Sequence, residues 1–330
     1  MIEFILLGLS SEPSLQLIFF LIFLTIYLAT LSGNLLLIAA VKVERRLHSS
    51  MYLFLATLSF ADICYTSIIV PRMLMDFLVT RKSISHTSCM VQIFSFLFLG
   101  ESECVLLAFM AYDRYVAICN PLRYNMIMSI PLCGRMIGTA WLMGGVISSV
   151  DLLFVYRLTF CGPNIIDHFF CEATALIQLT CSDISDLNIV ILAGDSLILL
   201  IPVVLVLFSY IQIIACIVKI RSGWSKSFST CFSHLVVVVF FYGTAIFTYV
   251  RPRHSGTDKL DKIVSMFYTI ITPMLNPLIY SLRNKDVQQA LRKVATKHFP
   301  TNHRHSCRGG CISTAVLLYP ITVASSRTHT

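Results

Sequence analysis

The chain has 330 residues, 56% of them hydrophobic and only 13% charged, with a formal charge of +8 and a mean hydropathy of +0.79. That composition excludes a soluble globular domain, because too little polar surface exists to cover so much apolar side chain, and it places the chain in a membrane. The positive charge does not signal nucleic acid, since Lys and Arg come in short groups between apolar runs rather than along one polar face.

In chain order, no basic n-region with a short apolar core and small-residue cleavage site opens the sequence, so the first apolar run reads as the insertion signal. Seven apolar windows follow, near Leu15 to Val41, Met51 to Val70, Cys89 to Ala111, Met136 to Tyr156, Leu187 to Val218, Phe228 to Val250 and Ile263 to Leu282. Each reaches the roughly 20 residues a helix needs to cross a bilayer, and none shows the apolar–polar alternation of a membrane barrel strand. The reading is an all-α membrane protein, a seven-helix transmembrane bundle in one domain over 15–282, after a short extracellular segment over 1–14. With the N-terminus outside, seventeen Lys and Arg fall on the cytoplasmic side and eight outside, which supports that orientation. Residues 283–299 carry Val287, Leu291 and Val294 about one helical repeat apart, with Arg292, Lys293 and Lys297 between them. They read as a short amphipathic helix on the inner leaflet. The stretch 300–330, with Cys307, Gly309, Gly310 and Cys311, reads as a disordered cytoplasmic tail, and its Cys307, Cys311, His303 and His305 as chance neighbours rather than a metal site.

Polar residues inside the spans carry the functional signal, because charge at membrane depth is costly unless it has a role. Asp62, Glu103, Glu101 and Asp195 are such acids, and Asn34 and Asn276 are amides at similar depth. Met110-Ala111-Tyr112-Asp113-Arg114-Tyr115-Val116-Ala117-Ile118-Cys119 sets an acid beside a base at the end of the third span. Pro273 and Pro277 lie in the seventh, where a missing backbone donor predicts a kink. Four cysteines, Cys89, Cys161, Cys171 and Cys181, fall on the outside, where disulfides form, and spacing leaves their three connectivities open.

The Met110 to Cys119 stretch resembles the third-helix signature of olfactory receptors, the odorant branch of the rhodopsin-like G-protein-coupled receptors. Leu47-His48-Ser49-Ser50-Met51-Tyr52 resembles that family's first cytoplasmic loop. Lys226 to Leu235 resembles its helix-six start, Pro273 to Asn284 its helix-seven signature, and Cys161 to Cys171 its tetrapod-type loop; together the likeness covers roughly Glu3 to Phe299. The resemblance implies Cys89 paired with Cys171 and Cys161 with Cys181. It implies a latch in which Arg114 pairs with Asp113 at rest, beside Tyr115, and is freed when the cytoplasmic helix ends separate. Tyr210, Asn276, Pro277 and Tyr280 belong to the same activation machinery. Asn34, Asp62 and Glu103 form its buried polar core, with a sodium ion near Asp62 and Glu103 in some members and no other cofactor.

By the same resemblance a small volatile odorant sits among Phe96, Leu97, Gly100 and Glu101 of helix three, Ile191, Gly194, Asp195 and Ile198 of helix five, and Tyr242, Ala245, Ile246 and Tyr249 of helix six. Phe96 stands where amine receptors of the superfamily carry an aspartate. The implied partners are the odorant, membrane lipid and a stimulatory, olfactory-type heterotrimeric G protein that raises cyclic AMP, at the plasma membrane. The chain departs from the pattern in four places: no Asn-x-Ser/Thr in a leader that reads as clipped before Glu3, a short third loop over Lys219 to Lys226, Ser50 in place of proline, and the unusual tail. These make a receptor-like product that neither reaches the surface nor signals the alternative reading.

Other functions find little support. A transporter's internal repeat is missing from the sequence. So are a His-Glu-x-x-His zinc motif, a Gly-x-Ser-x-Gly elbow and a phosphate-binding glycine loop, and an enzyme is not expected. A retinal-binding opsin is excluded because Lys262 lies at the outer end of the seventh span rather than its centre.

Overall fold

The computed structural model describes residues 3–10, 12–161, 163–181, 185–219, 224–250, 259–283 and 285–298, with most of their side chains. The tail over 300–330 lies outside the described residues, as do four residues of the third loop. Among the described residues, seven helices are long and apolar enough to cross a membrane: α1 Pro13–Val43, α2 Ser50–Leu78, α3 His86–Cys119, α4 Ile130–Tyr156, α5 Ser185–Lys219, α6 Trp224–Val250 and α7, which runs from Lys259 to Arg283 in three pieces. The amphipathic segment forms α8, Lys285–His298, whose Val287 and Ala290 are buried.

Local chemistry explains several boundaries. Pro13 and Pro131 occupy the first turns of α1 and α4, where a missing N–H costs nothing. Ser85 caps α3 by accepting from the Ser88 N–H at 3.2 Å. In α7 the sequence predicts a kink at the prolines, and the distortion lies just before Pro273, as one π-helical turn over Phe267–Ile271. The Pro273 ring would clash with the carbonyl four residues earlier, and the widened turn relieves that clash. The Pro273 carbonyl itself accepts from Asn34 Nδ2 at 3.1 Å, which pins the distorted segment to α1.

α3 is the axis of the bundle. It packs against α2, α4, α5 and α6, and 67% of its apolar window is buried against 11% for α1 at the periphery. Outward-facing Leu17, Leu21, Leu28 and Leu35 on α1 and Leu197, Val204, Phe208 and Ile211 on α5 are exposed. An apolar belt of this kind has only lipid to meet, so this is a multi-pass membrane protein.

Where α3 begins, the chain departs from an all-helical pattern. β1 Glu3–Leu6 pairs antiparallel with β2 Ser83–Ser85 and parallel with β3 Ile165–Ile166, in the order β2-β1-β3, with Phe4 opposite Ile84 and Leu6 opposite Ile166. Phe4 and Leu6 point inward onto Met90, Ile93, Val155 and Leu176. Two disulfides fasten this end: Cys89–Cys171 ties α3 to the loop after α4 (Cα–Cα 5.4 Å), and Cys161–Cys181 closes that loop on itself (5.8 Å). Gln92 adds a second tie, donating to the Ile68 carbonyl at 3.0 Å and accepting from the Cys171 N–H at 2.9 Å.

Candidate functional site

Beneath the disulfide-bonded loop, α2, α3, α5, α6 and α7 surround a cavity of about 580 Å³ counted to its open mouth. Its walls are Tyr65, Phe96, Leu97, Gly100, Glu101, Cys104, Ile198, Leu199, Phe241, Ala245 and Tyr268. Phe96 holds the wall together, with ring centroids 5.2 Å from Tyr65, 5.0 Å from Phe170 and 6.1 Å from Tyr268. Phe169 and Phe170, both fully buried, bring the loop down onto these rings as a roof.

Of the residues expected at this wall, Phe96, Leu97, Gly100, Glu101, Ile198 and Ala245 line the cavity. Tyr242 is a correction: its hydroxyl donates to the Cys104 carbonyl at 2.6 Å, and Phe241 faces the cavity instead. A buried phenol needs an acceptor, and α3 offers one. Ile246 packs into the core beside the wall, and Gly194 borders open space. The side chains of Ile191, Asp195 and Tyr249 lie outside the described residues. Tyr65, Cys104, Leu199, Phe241 and Tyr268 are wall residues that the sequence did not single out; only their spacing from named neighbours pointed toward them.

Below the cavity the polar residues form a column. Asn276 Nδ2 donates to both Asp62 carboxylate oxygens at 3.0 and 3.1 Å, and Glu103 lies within electrostatic reach of Asp62. Asn34 serves the column differently, since its amide donates to the Thr30 and Pro273 carbonyls rather than to a carboxylate. Among the described residues, the amide oxygens of Asn34 and Asn276 and one Glu103 oxygen are buried with no donor in reach. Such acceptor-only oxygens fit a hard cation or water.

At the far end Asp113 is fully buried. Its Oδ1 accepts from Ser50 Oγ and from the Tyr124 hydroxyl, both at 2.9 Å, while Arg114 stands 3.9 Å from Oδ2. Asp113 is therefore held chiefly by hydroxyls and only loosely by Arg114. Burial, and then the Asp113 charge, push the Tyr124 hydroxyl up to about 12, so it stays a donor at ordinary pH. Tyr115 packs at the rim of the core. Arg114 also lies within electrostatic reach of Tyr210, His234 and Tyr280. Tyr210 meets His234 Nδ1 at 2.8 Å and donates to the Cys231 carbonyl at 3.1 Å, joining α5 to α6. The Tyr280 hydroxyl has no hydrogen-bond partner among the described residues and is in electrostatic reach of both Arg114 and Asp62. Pro277 fits against Gly33, where a Cβ would lie 3.1 Å from its ring. His234, a member of this group, carried no role in the sequence reading.

A family model described as olfactory receptor matches residues 23–298. The chain belongs to the olfactory receptor family. It is 51% identical to human olfactory receptor 2D2 over 300 residues, covering 90% of this chain and 97% of that protein. Human olfactory receptor 13C2 is 48% identical, with 91% and 96% covered, and mouse olfactory receptor 8U3 is 46% identical, with 91% and 94% covered. This is a receptor family rather than an enzyme family, and membership accords with the cavity, the seven spans and the disulfide-bonded roof.

Proposed function

We propose that this olfactory receptor binds a small volatile odorant in the cavity around Phe96 and answers by releasing Arg114 to a stimulatory, olfactory-type G protein that raises cyclic AMP. The observation that carries the proposal is the stacking of three features along one helix, α3: Phe96 and Glu101 in the cavity wall, Glu103 in the polar column, and Arg114 loosely held at the far end. A ligand that draws the cavity walls inward favours one arrangement of this column over another, which is all that a population shift requires. Lys and Arg are concentrated at the Arg114 end, so that end faces the cytoplasm and the disulfides face outward. α8 then lies on the inner leaflet, where Lys293 pairs with Glu44 just beyond α1.

The residues of the column fit a sodium ion, with Asp62 and Glu103 supplying charge and the Asn276 and Asn34 oxygens supplying neutral ligands. Bound there, it would offset the acids' negative charge and hold the resting arrangement. The test is cyclic AMP in cells that carry the epitope-tagged chain at their surface, read across an odorant panel. Arg114→Glu should abolish the response at unchanged surface level, and a variant that still responds would refute the role assigned to Arg114.

A further inference from the structure

Two phenols stand in the cavity wall, Tyr65 on α2 and Tyr268 on α7. Tyr268 gives its hydroxyl proton to Ser265 Oγ at 3.2 Å, about one turn earlier in α7. Just behind the wall, Tyr242 gives its own to the Cys104 carbonyl. Tyr65 is different: only 4% of it is exposed, and among the described residues its hydroxyl has no hydrogen-bond partner. The fold explains why that group is left open. The Tyr65 ring packs against Phe96, and its hydroxyl oxygen lies 3.8 Å from where a Cβ on Gly100 would stand. Gly100 lines the same cavity, and having no side chain it leaves the hydroxyl uncovered. Tyr65 also follows Asp62 by three residues, on one face of α2, and Asp62 accepts from Asn276. A ligand held by Tyr65 therefore touches α2 one turn from the polar column.

A buried phenol without an acceptor is costly, because it has lost the hydrogen bond that water would have made. An odorant can supply the missing acceptor. A carbonyl oxygen does so and brings no proton of its own, whereas an alcohol brings one that must find an acceptor in turn. The described wall holds no Lys, Arg or His, so an anionic acceptor would be buried there without a counter-charge. On the reading that this cavity is the odorant site, we infer that the ligand is a neutral carbonyl compound, a ketone, aldehyde or ester on a hydrocarbon body, whose oxygen accepts from the Tyr65 hydroxyl. The body fills the space among Phe96, Leu97, Ile198, Leu199 and Phe241. Tyr65 is then the residue that selects the class of odorant.

Thermal unfolding of the purified full chain in lipid nanodiscs tests it, with octan-2-one, octan-2-ol and octane as probes. At equal concentration in the lipid, octan-2-one should stabilise the wild type most. Tyr65→Phe keeps the ring and should raise the octan-2-one concentration needed by about tenfold, the worth of one good hydrogen bond, while octane stays unchanged. Infrared spectra of bound octan-2-one give a readout that needs no variant: its carbonyl band should lie at lower wavenumber than in nanodiscs without the protein. An unshifted band would overturn the inference, as would a Tyr65→Phe variant that responds to octan-2-one as the wild type does. Stronger stabilisation by octan-2-ol than by octan-2-one would overturn it in favour of a hydroxyl shared between Tyr65 and Glu101. Gly100→Phe separates these failures from failure of the site. If octane and octan-2-one stabilise alike and both lose their effect in Gly100→Phe, the carbonyl falls and the cavity stands. Stabilisation by none of the probes would overturn both.

Discussion

Ser50→Ala should lower basal signalling, and the reason lies in how protons are shared around Asp113. Ser50 and Tyr124 each bring one hydroxyl proton to three short contacts: Ser50 to Asp113 and Tyr124 to Asp113, both 2.9 Å, and Ser50 to Tyr124, 2.6 Å. Two of the three can be satisfied at once. With both protons on Asp113 the carboxylate is served whether or not Arg114 is near, and at 3.9 Å Arg114 adds little. Release of Arg114 then costs little. Removing the Ser50 hydroxyl leaves a buried carboxylate short of a donor, and the guanidinium is the group at hand to replace it. The variant's resting state regains a charge-assisted bond that its released state lacks. Such a bond is worth about 1.5–3 kcal/mol, or roughly 10- to 150-fold in the resting-to-released ratio. Cyclic AMP without odorant, normalised to surface protein, should fall by about tenfold or more, and Tyr124→Phe should move it the same way. Unchanged or raised basal signalling from Ser50→Ala at equal surface level would refute the reasoning.

Two other outcomes follow from the geometry. Gly144→Ala places a Cβ against Ser102 Oγ and 2.8 Å from the Phe98 carbonyl oxygen, the latter being backbone that cannot rotate away. It should cost about 1–3 kcal/mol by overpacking, read as a lower unfolding temperature in detergent, while Gly138→Ala, where nothing lies within 4 Å, should not. For Tyr124, a folded-state value pushed up to about 12 means that the fold holds its proton more tightly than the unfolded chain. Its contribution to stability is intact below about pH 10 and is lost as pH rises through about 12. Unfolding temperature should show no Tyr124-dependent change from pH 6 to 9 and a Tyr124→Phe-sensitive decline above pH 10.

The spans were legible because continuous apolar runs can do little else in a chain this poor in charge, and their order along the sequence carries over to the bundle. The polar column was legible for a related reason: Asp62, Glu103, Asn34 and Asn276 stand out against apolar neighbours. The cavity wall was legible on α3, where spacing by three and four selects one face. On α6 it was off by one residue, because each step along a helix turns the side chain by about 100° and nothing local says whether Phe241 or Tyr242 faces inward. The sheet was hidden because Glu3 to Leu6 reads as unremarkable until Ser83 to Ser85 and Ile165 to Ile166 arrive from distant parts of the chain. Gln92 and His234 were hidden likewise: each has its meaning only from a partner on another element. Ser50 was visible as a departure from the family's proline, but its bond to Asp113 was not.

The central claim is that occupancy of the Phe96 cavity moves Arg114, and filling that cavity tests it most directly. Gly100 borders the space, with its nearest neighbour, Tyr65, 3.7 Å from where a Cβ would lie, so Gly100→Phe puts a ring where the odorant would sit. The measurement is the cyclic AMP dose–response of surface-expressed wild type and Gly100→Phe to an odorant that activates the wild type. The account predicts loss of the odorant response, by about 100-fold or more in potency for a ligand shut out of its pocket, with surface level unchanged. A full response at wild-type potency would contradict it and place the odorant elsewhere.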